Sequence, residues 1–370
     1  MKILLLLRQN KNFKPFVRKT IKYAVIMQIV VIVCAIGWAS ASNAVNSTIR
    51  PPEVPIVAAS VVPVRVNTPA RQQEDTEPDV INYEDIITPM ITMYEERKEN
   101  FFTFLIFGLT EGLGANTIMV AAYDADAEVG HIISIPRDTL VDVERNSRKI
   151  VSAYNVGRLR GGGHEGGVDR LKYEVQTLIG FRPDFYVSIN YEAFIRMIDA
   201  VGGVEVTVPF HMLYDDPYQD LHIDIPEGVQ VLDGHNALHF ARYRRGNDRR
   251  YTITDYRRIE HQQQVIDAVF QSLLTPRTIL RIPEFIGIFN DYINSDLTYG
   301  ELLWFANQGR RIINSIDSDS LAFHTTPMLG TSGSPHWYEL ACGDGILELV
   351  NRTVNPFKRD LTEDDLRIVS

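Results

Sequence analysis

The chain has 370 residues, a hydrophobic fraction of 45% and a formal net charge of −10. The length suits one large or two medium domains. The apolar fraction is ordinary for a globular core and too low for a multi-span membrane protein, and the acidic balance argues against a broad nucleic-acid footprint. Cys34 and Cys342 stand far apart, and there is no CxxC or Cys/His zinc spacing, so neither a disulfide nor a zinc site is expected.

Residues 1–22 form a basic tail: Lys2, Arg8, Lys11, Lys14, Arg18, Lys19 and Lys22 appear with no acid among them. Residues 23–41 are apolar and close to the ~20 residues that span a bilayer as a helix. Basic flanks stay in the cytoplasm, so the rest of the chain is expected outside the cell membrane, behind a single-pass signal-anchor. A cleaved signal peptide ending at Ala39-Ser40-Ala41 is the rival reading. Residues 42–98 are punctuated by Pro51, Pro52, Pro55, Pro63, Pro69 and Pro78 and read as an extended linker. A partly helical lead-in from Ile81 is interrupted at Pro89.

A folded domain is expected over 99–275. Phe101 to Leu109, Thr117 to Tyr123 and His131 to Ile135 read as buried strands, the last ended by Pro136. Val168, Leu171, Val175 and Leu178 recur at helical spacing before Gly180. The preceding glycine run, Gly161 to Gly167, lacks the G-K-[ST] ending of a P-loop and reads as a flexible loop, a potential lid. Phe185 to Ile189 and Val204 to Val208 read as strands on either side of a helix from Tyr191 to Val201. Leu238 to Arg244 reads as a further strand and Asp255 to Leu274 as an amphipathic helix. Residues 276–370 are expected as a helical extension packed on the same domain. Mixed strands and helices imply a layered α/β fold.

The acidic chain gathers arginines at two places, Ser134-Ile135-Pro136-Arg137-Asp138 and Leu238 through Arg258. A guanidinium grips phosphate in a bidentate way, so these clusters point to a phosphorylated anion. In a strand, Arg242 and Arg244 would share one face about 6.6 Å apart, with Leu238 and Phe240 running behind them like a pocket wall. An isolated RxR is more often a solvated edge. Arg258 falls in the first turn of its helix, where free N–H groups and the dipole also attract anions, and Gln262 shares its face. Arg137 could equally close a turn by pairing with Asp138. Arg245, Arg249, Arg250 and Arg257 read as solvated loop charges. No GxSxG, HExxH or histidine metal spacing is present.

These motifs, in order, resemble the LytR-CpsA-Psr family. The resemblance covers about Phe104 to Leu274. It rests on Asn116-Thr117-Ile118-Met119-Val120, Ser134 to Thr139, Lys149-Ile150-Val151-Ser152-Ala153-Tyr154 and Asp184-Phe185-Tyr186-Val187. It continues through Val201 to Val206, Leu232-Asp233-Gly234, Ala237-Leu238, Arg242-Tyr243-Arg244 and Asp255 to Gln262. It implies a three-layer α-β-α fold with a central mixed sheet behind one transmembrane helix. It also implies an extracytoplasmic phosphotransferase that moves a glycopolymer from a polyisoprenyl pyrophosphate carrier to peptidoglycan. Arg137, Arg242, Arg244 and Arg258 match the family's pyrophosphate-binding arginines, and Gln262 follows them. Asp138 is expected to orient Arg137.

Three departures stand out. The family holds magnesium with two aspartates, and the matching positions here are Thr110 and Asn116, both uncharged. Magnesium prefers carboxylate and phosphate oxygens, so magnesium stays open as a cofactor while no metal ligand is assigned; Glu111 is adjacent but would face the other way in a continuing strand. His261 stands where an arginine is more usual. The alternative to an enzyme is therefore a non-catalytic polyisoprenyl-phosphate binding module. A membrane-bound transcription attenuator has no helix-turn-helix pattern to support it.

Overall fold

The computed structural model describes residues 51–54, 97–110, 114–217, 221–247, 251–273, 281–314, 321–332 and 337–369. The expected anchor at 23–41, nearly all of the linker, Glu111, Arg249 and Arg250 lie outside them. Among the described residues no helix is long and apolar enough to cross a membrane. The chain divides into two units, 1–52 with 298–305, and 53–297 with 306–370. In the first, the Thr298 amide and hydroxyl both donate to Glu301 Oε2 at 2.7 Å, an N-terminal cap on the helix that starts at Tyr299.

The second unit opens on β1 (Phe101–Thr110), β2 (Gly114–Asp124) and β3 (Val129–Ile135). Helices α1 (Ala153–Gly157) and α2 (Gly163–Ile179) lead to β4 (Phe185–Ile189), α3 (Tyr191–Val201) and β5 (Val204–Val208). Next come β6 (Met212–Asp216), β7 (Leu221–Ile225) and β8 (Gly228–Leu232), then α4 (Gly234–Arg242) and α5 (Asp255–Leu273). After α6 (Ile282–Tyr292), β9 (Ile293–Ser295) and α7 (Tyr299–Asn314), the chain adds β10 (Leu321–Thr325), β11 (Met328–Ser332), β12 (Tyr338–Ala341) and α8 (Gly343–Thr353).

The central sheet is mixed and runs β10-β3-β2-β1-β4-β9. β1 pairs antiparallel with β2 and parallel with β4. Its side chains alternate: Leu105 and Phe107 join Ile118 and Val120 in a core completed by α1, α2 and α8. The opposite face carries Ile106, Gly108, Thr117 and Met119 and looks toward α3, α4 and α5. Those helices share a second core with β5 to β8, built on Ile198, Val206, Ile223, Phe240 and Val265. Helices therefore cover both sheet faces, as an α/β layered fold requires.

Three expectations are corrected. Leu238 to Arg244 is not a strand: residues up to Arg242 belong to α4, whose N-terminus is capped by the Asp233 side chain accepting from the Asn236 amide at 2.8 Å. Ala237 and Phe240 pack in the second core while Leu238 and Ala241 turn toward the sheet face carrying Ile106 and Met119, a helical rather than an alternating pattern. The glycine run is not a loop or lid. The stretch from Arg158 to Gly162 is a kink between two helices, with non-helical backbone at Arg160 and Gly161, and Gly163 to Gly167 open α2. Gly157 needs its missing side chain there, because a Cβ would sit 2.0 Å from the Gly166 carbonyl oxygen. Residues 276–370 are not purely helical, since β9 and β10 form the two edges of the central sheet.

Gly234 fixes how closely α4 approaches α3: a Cβ would lie 2.3 Å from the Ile195 carbonyl oxygen. Gly234→Ala should therefore cost about 1–3 kcal/mol of stability as the helices part, read as a lower urea midpoint at unchanged m-value.

Candidate functional site

A cavity of about 750 Å³ lies between the sheet face carrying Ile106 and Met119 and the inner faces of α3, α4 and α5. Phe194, Leu238, Ile223 and Ile266 give it an apolar wall. Arg137, Arg242, Arg244, Arg258 and Gln262 all line it, as do Thr110 and Asn116. Residues more than a hundred positions apart thus face one space.

Each arginine is set by its local backbone. Arg137 follows β3, in a turn where the Thr139 amide and hydroxyl donate to the Pro136 carbonyl at 3.1 and 2.6 Å. Arg242 is the last residue of α4, where a cation complements the helix dipole. Arg244 lies beyond that helix, and its carbonyl accepts from the Ile253 amide at 2.8 Å. The common strand face expected for Arg242 and Arg244 does not exist, but both still reach the cavity. Arg258 and Gln262, one helical turn apart on α5, share the cavity-facing side.

Asp255 joins three of these arginines. Its carboxylate accepts from Arg137 Nε at 3.2 Å and Arg258 Nη1 at 3.1 Å, and lies 3.6 Å from Arg244 Nη2. Burial lowers the Arg258 pKa to about 10, opposed by Asp255 and reinforced by Arg137 and Arg244. The cluster is short of negative charge. Asp255 stood in the sequence as the start of a helix, and Asp plus Arg at i, i+3 is the signal for its pairing with Arg258. Asp138 does not orient Arg137. It pairs with Lys149 at 3.1 Å, and Asp255 and Asn116 hold Arg137 instead. Asp138 is not among the residues lining the cavity.

Arg245, read from the sequence as a loop charge, also lines the cavity, with its guanidinium 6.0 Å from the Tyr214 ring. Arg257 pairs with Glu260 at 2.8 Å and is exposed, as expected for a surface charge. Tyr191 was missed: its ring lies 4.5 Å beneath the Arg242 guanidinium, a cation–π contact.

The residues at the two positions that match the family's metal aspartates do not fit magnesium. Asn116 Oδ1 accepts from Arg137 Nη1 at 3.1 Å, and its Nδ2 donates to Thr110 Oγ1 at 2.8 Å. Thr110 Oγ1 is also 3.0 Å from the Tyr191 hydroxyl. Both polar groups are committed to neutral or cationic partners, and among the described residues no cluster of His, Cys, Asp and Glu could hold a metal ion.

His261 is 3% exposed and stacks on Phe240 at 4.4 Å. Burial lowers its pKa from 6.5 to about 4. The unfolded chain takes up this proton near pH 6.5 and the folded chain only near pH 4. The associated stability is present above pH 6.5 and lost as the pH falls toward 4, about 3 kcal/mol in all. His261→Phe keeps the stack and should flatten stability against pH across that window in urea titrations; an unchanged slope would contradict this. Asp255→Asn leaves three guanidinium groups facing one another, with an expected loss of about 3 kcal/mol. Added pyrophosphate should raise the melting temperature of this variant more than that of the parent protein.

The chain matches the LytR_cpsA_psr family over residues 67–340. It is 24% identical over 208 residues to the regulatory protein MsrR of Staphylococcus aureus strain COL, covering 54% of this chain and 58% of MsrR. The matched region thus spans little more than half the length of that relative. It is 26% identical over 255 residues to the polyisoprenyl-teichoic acid–peptidoglycan teichoic acid transferase TagU of Oceanobacillus iheyensis, covering 68% of this chain and 74% of TagU. Two solved structures share the fold. Bacillus subtilis TagV has a TM-score of 0.53 and 22% identity, covering 68% of this chain and 95% of that one. TagT bound to LIIa-WTA has a TM-score of 0.54 and 16% identity, covering 70% and 92%. With most of its length matched, the chain belongs to the LytR_cpsA_psr family.

Proposed function

We propose that the protein moves a phosphorylated glycopolymer from a polyisoprenyl pyrophosphate carrier to a hydroxyl of a cell-wall acceptor, peptidoglycan being the acceptor class. One observation carries this reading: Arg137, Arg242, Arg244 and Arg258 face a single cavity that also has an apolar wall of Ile106, Met119, Phe194, Leu238 and Ile266. Such a site suits a ligand that joins a doubly phosphorylated head to a hydrocarbon tail. The names of the relatives TagU and TagV, both teichoic acid transferases, point the same way. The basic tail and apolar stretch at 1–41 would tether the domain to the outer side of the cell membrane, where such a carrier is presented.

In this reaction the acceptor oxygen bonds to the sugar-proximal phosphorus. The bond from that phosphorus to the bridging oxygen breaks, lipid monophosphate leaves with the electron pair, and the hydroxyl proton passes to solvent. The residues act by positioning and charge stabilisation. Arg258 and Arg137, tied through Asp255, would neutralise the pyrophosphate oxygens from one side. Arg242, supported on Tyr191, would do so from the other.

A second reading, a polyisoprenyl-phosphate binding module without turnover, draws on the neutral pair Thr110 and Asn116. The full chain in detergent, given a pyrophosphorylated polyprenol carrying a sugar and a peptidoglycan fragment, separates the two. Release of lipid monophosphate supports the transferase; tight retention of uncleaved lipid supports the binder. Arg242→Ala should lower turnover roughly 10²–10³-fold with an unchanged urea midpoint. Normal transfer by this variant would remove Arg242 from the site.

A further inference from the structure

We propose that the site handles its pyrophosphate ligand without a divalent cation, with Asn116 holding Arg137 as the positive charge that takes the cation's place. The inference rests on the pyrophosphate reading of the cavity given above.

A β-bulge starts the geometry. Gly108 pairs with Thr117, but Leu109 pairs with Ala115, so Asn116 is the extra residue in β2. Strict alternation would turn Asn116 away from Thr117 and into the core; the bulge re-aims it, and both line the cavity while Ala115 returns to the core. Asn116 then links Arg137 to Thr110, Thr110 meets the Tyr191 hydroxyl, and the Tyr191 ring supports Arg242. Arg137 and Arg242 are thus joined through a chain of uncharged groups, with Asp255 as the second partner of Arg137. A neutral amide fixes a guanidinium by hydrogen bonding without cancelling its charge; a carboxylate at the same point would cancel it.

Charge supplies the second argument. Arg137, Arg242, Arg244, Arg245 and Arg258 stand against Asp216, which lines the cavity, and Asp255, which bridges the arginines. Among the described residues the surplus is three positive charges. A pyrophosphate joining two organic groups carries one negative charge on each phosphoryl, so the arginines alone more than balance it. Two carboxylates plus one divalent cation sum to zero, as do threonine plus asparagine. Losing both carboxylates together therefore preserves the net charge of the site with no cation present. Arg258, already pushed down to about 10 by burial, gains from an anion and would lose from a further cation.

The test is calorimetric binding of geranyl pyrophosphate to the full chain in detergent, once in EDTA and once in excess magnesium. The parent protein should bind with affinities within about threefold of each other, well inside the ~tenfold that 1.4 kcal/mol represents. Asn116→Asp should bind roughly tenfold more weakly in EDTA and recover in magnesium, because one carboxylate with phosphate oxygens can recruit the ion. Asn116→Ala should weaken binding alike in both conditions, which separates positioning of Arg137 from general damage. Parent binding only in magnesium would overturn this inference and leave the carrier-lipid reading standing. Binding in neither condition would overturn both. Asn116→Asp binding like the parent protein in EDTA would remove Asn116 from the role assigned to it.

Discussion

The site depends on one carboxylate placed among guanidinium groups that would otherwise repel. Asp255 opens α5 and reaches Arg137 from the end of β3, Arg244 from the segment after α4, and Arg258 one turn along its own helix. Like charges in a partly buried space destabilise one another far more than in water. A single shared anion lets the three side chains converge and leaves the ensemble positive. This under-compensation suits the cavity to the anion proposed for it; the depressed pKa of Arg258 comes first from burial, with Arg137 and Arg244 adding to it.

The architecture serves that convergence. The central sheet buries Leu105, Phe107, Ile118 and Val120 on one side and leaves its other face free to floor a cavity. Gly234 lets α4 lie close to α3, which brings Arg242 onto the ring of Tyr191, the first residue of α3. Gln263 ties α5 to the sheet by donating to Ser134 Oγ and to the His324 carbonyl at 3.0 Å, and so seats Arg258 and Gln262 on the cavity side. Helix α4, helix α5 and the end of β3 thus place Arg242, Arg258 and Arg137, while Arg244 reaches the site from an exposed segment after α4.

Much of this was legible in the chain. The strands from Phe101 to Ile135 and the helices beginning at Tyr191 and Asp255 follow from apolar period and stop signals. Arg137, Arg242, Arg244 and Arg258 stood out in the sequence by their clustering in an acidic protein, and all four reach the cavity; Arg245, read as a loop charge, reaches it too. Other features were hidden for physical reasons. In Leu238-His239-Phe240-Ala241-Arg242, large and small apolar residues fit a period of two as well as one of 3.6, and the Asp233 cap decides for the helix. The glycines from Gly161 to Gly167 looked like loop chemistry, whereas those near Gly157 allow two helices to touch. The role of Asn116 depends on a bulge that no local pattern announces. Asp138 neighbours Arg137 in sequence, yet the turn after Pro136 directs it to Lys149.

The most direct measurement is a crystal structure of the full chain with a bound isoprenoid pyrophosphate. Phosphoryl oxygens within hydrogen-bond distance of Arg137, Arg242, Arg244 and Arg258, with the hydrocarbon lying against Ile106, Met119 and Leu238, are the expected result. Pyrophosphate bound on another surface, or those four side chains turned to solvent with the cavity collapsed, would contradict the account.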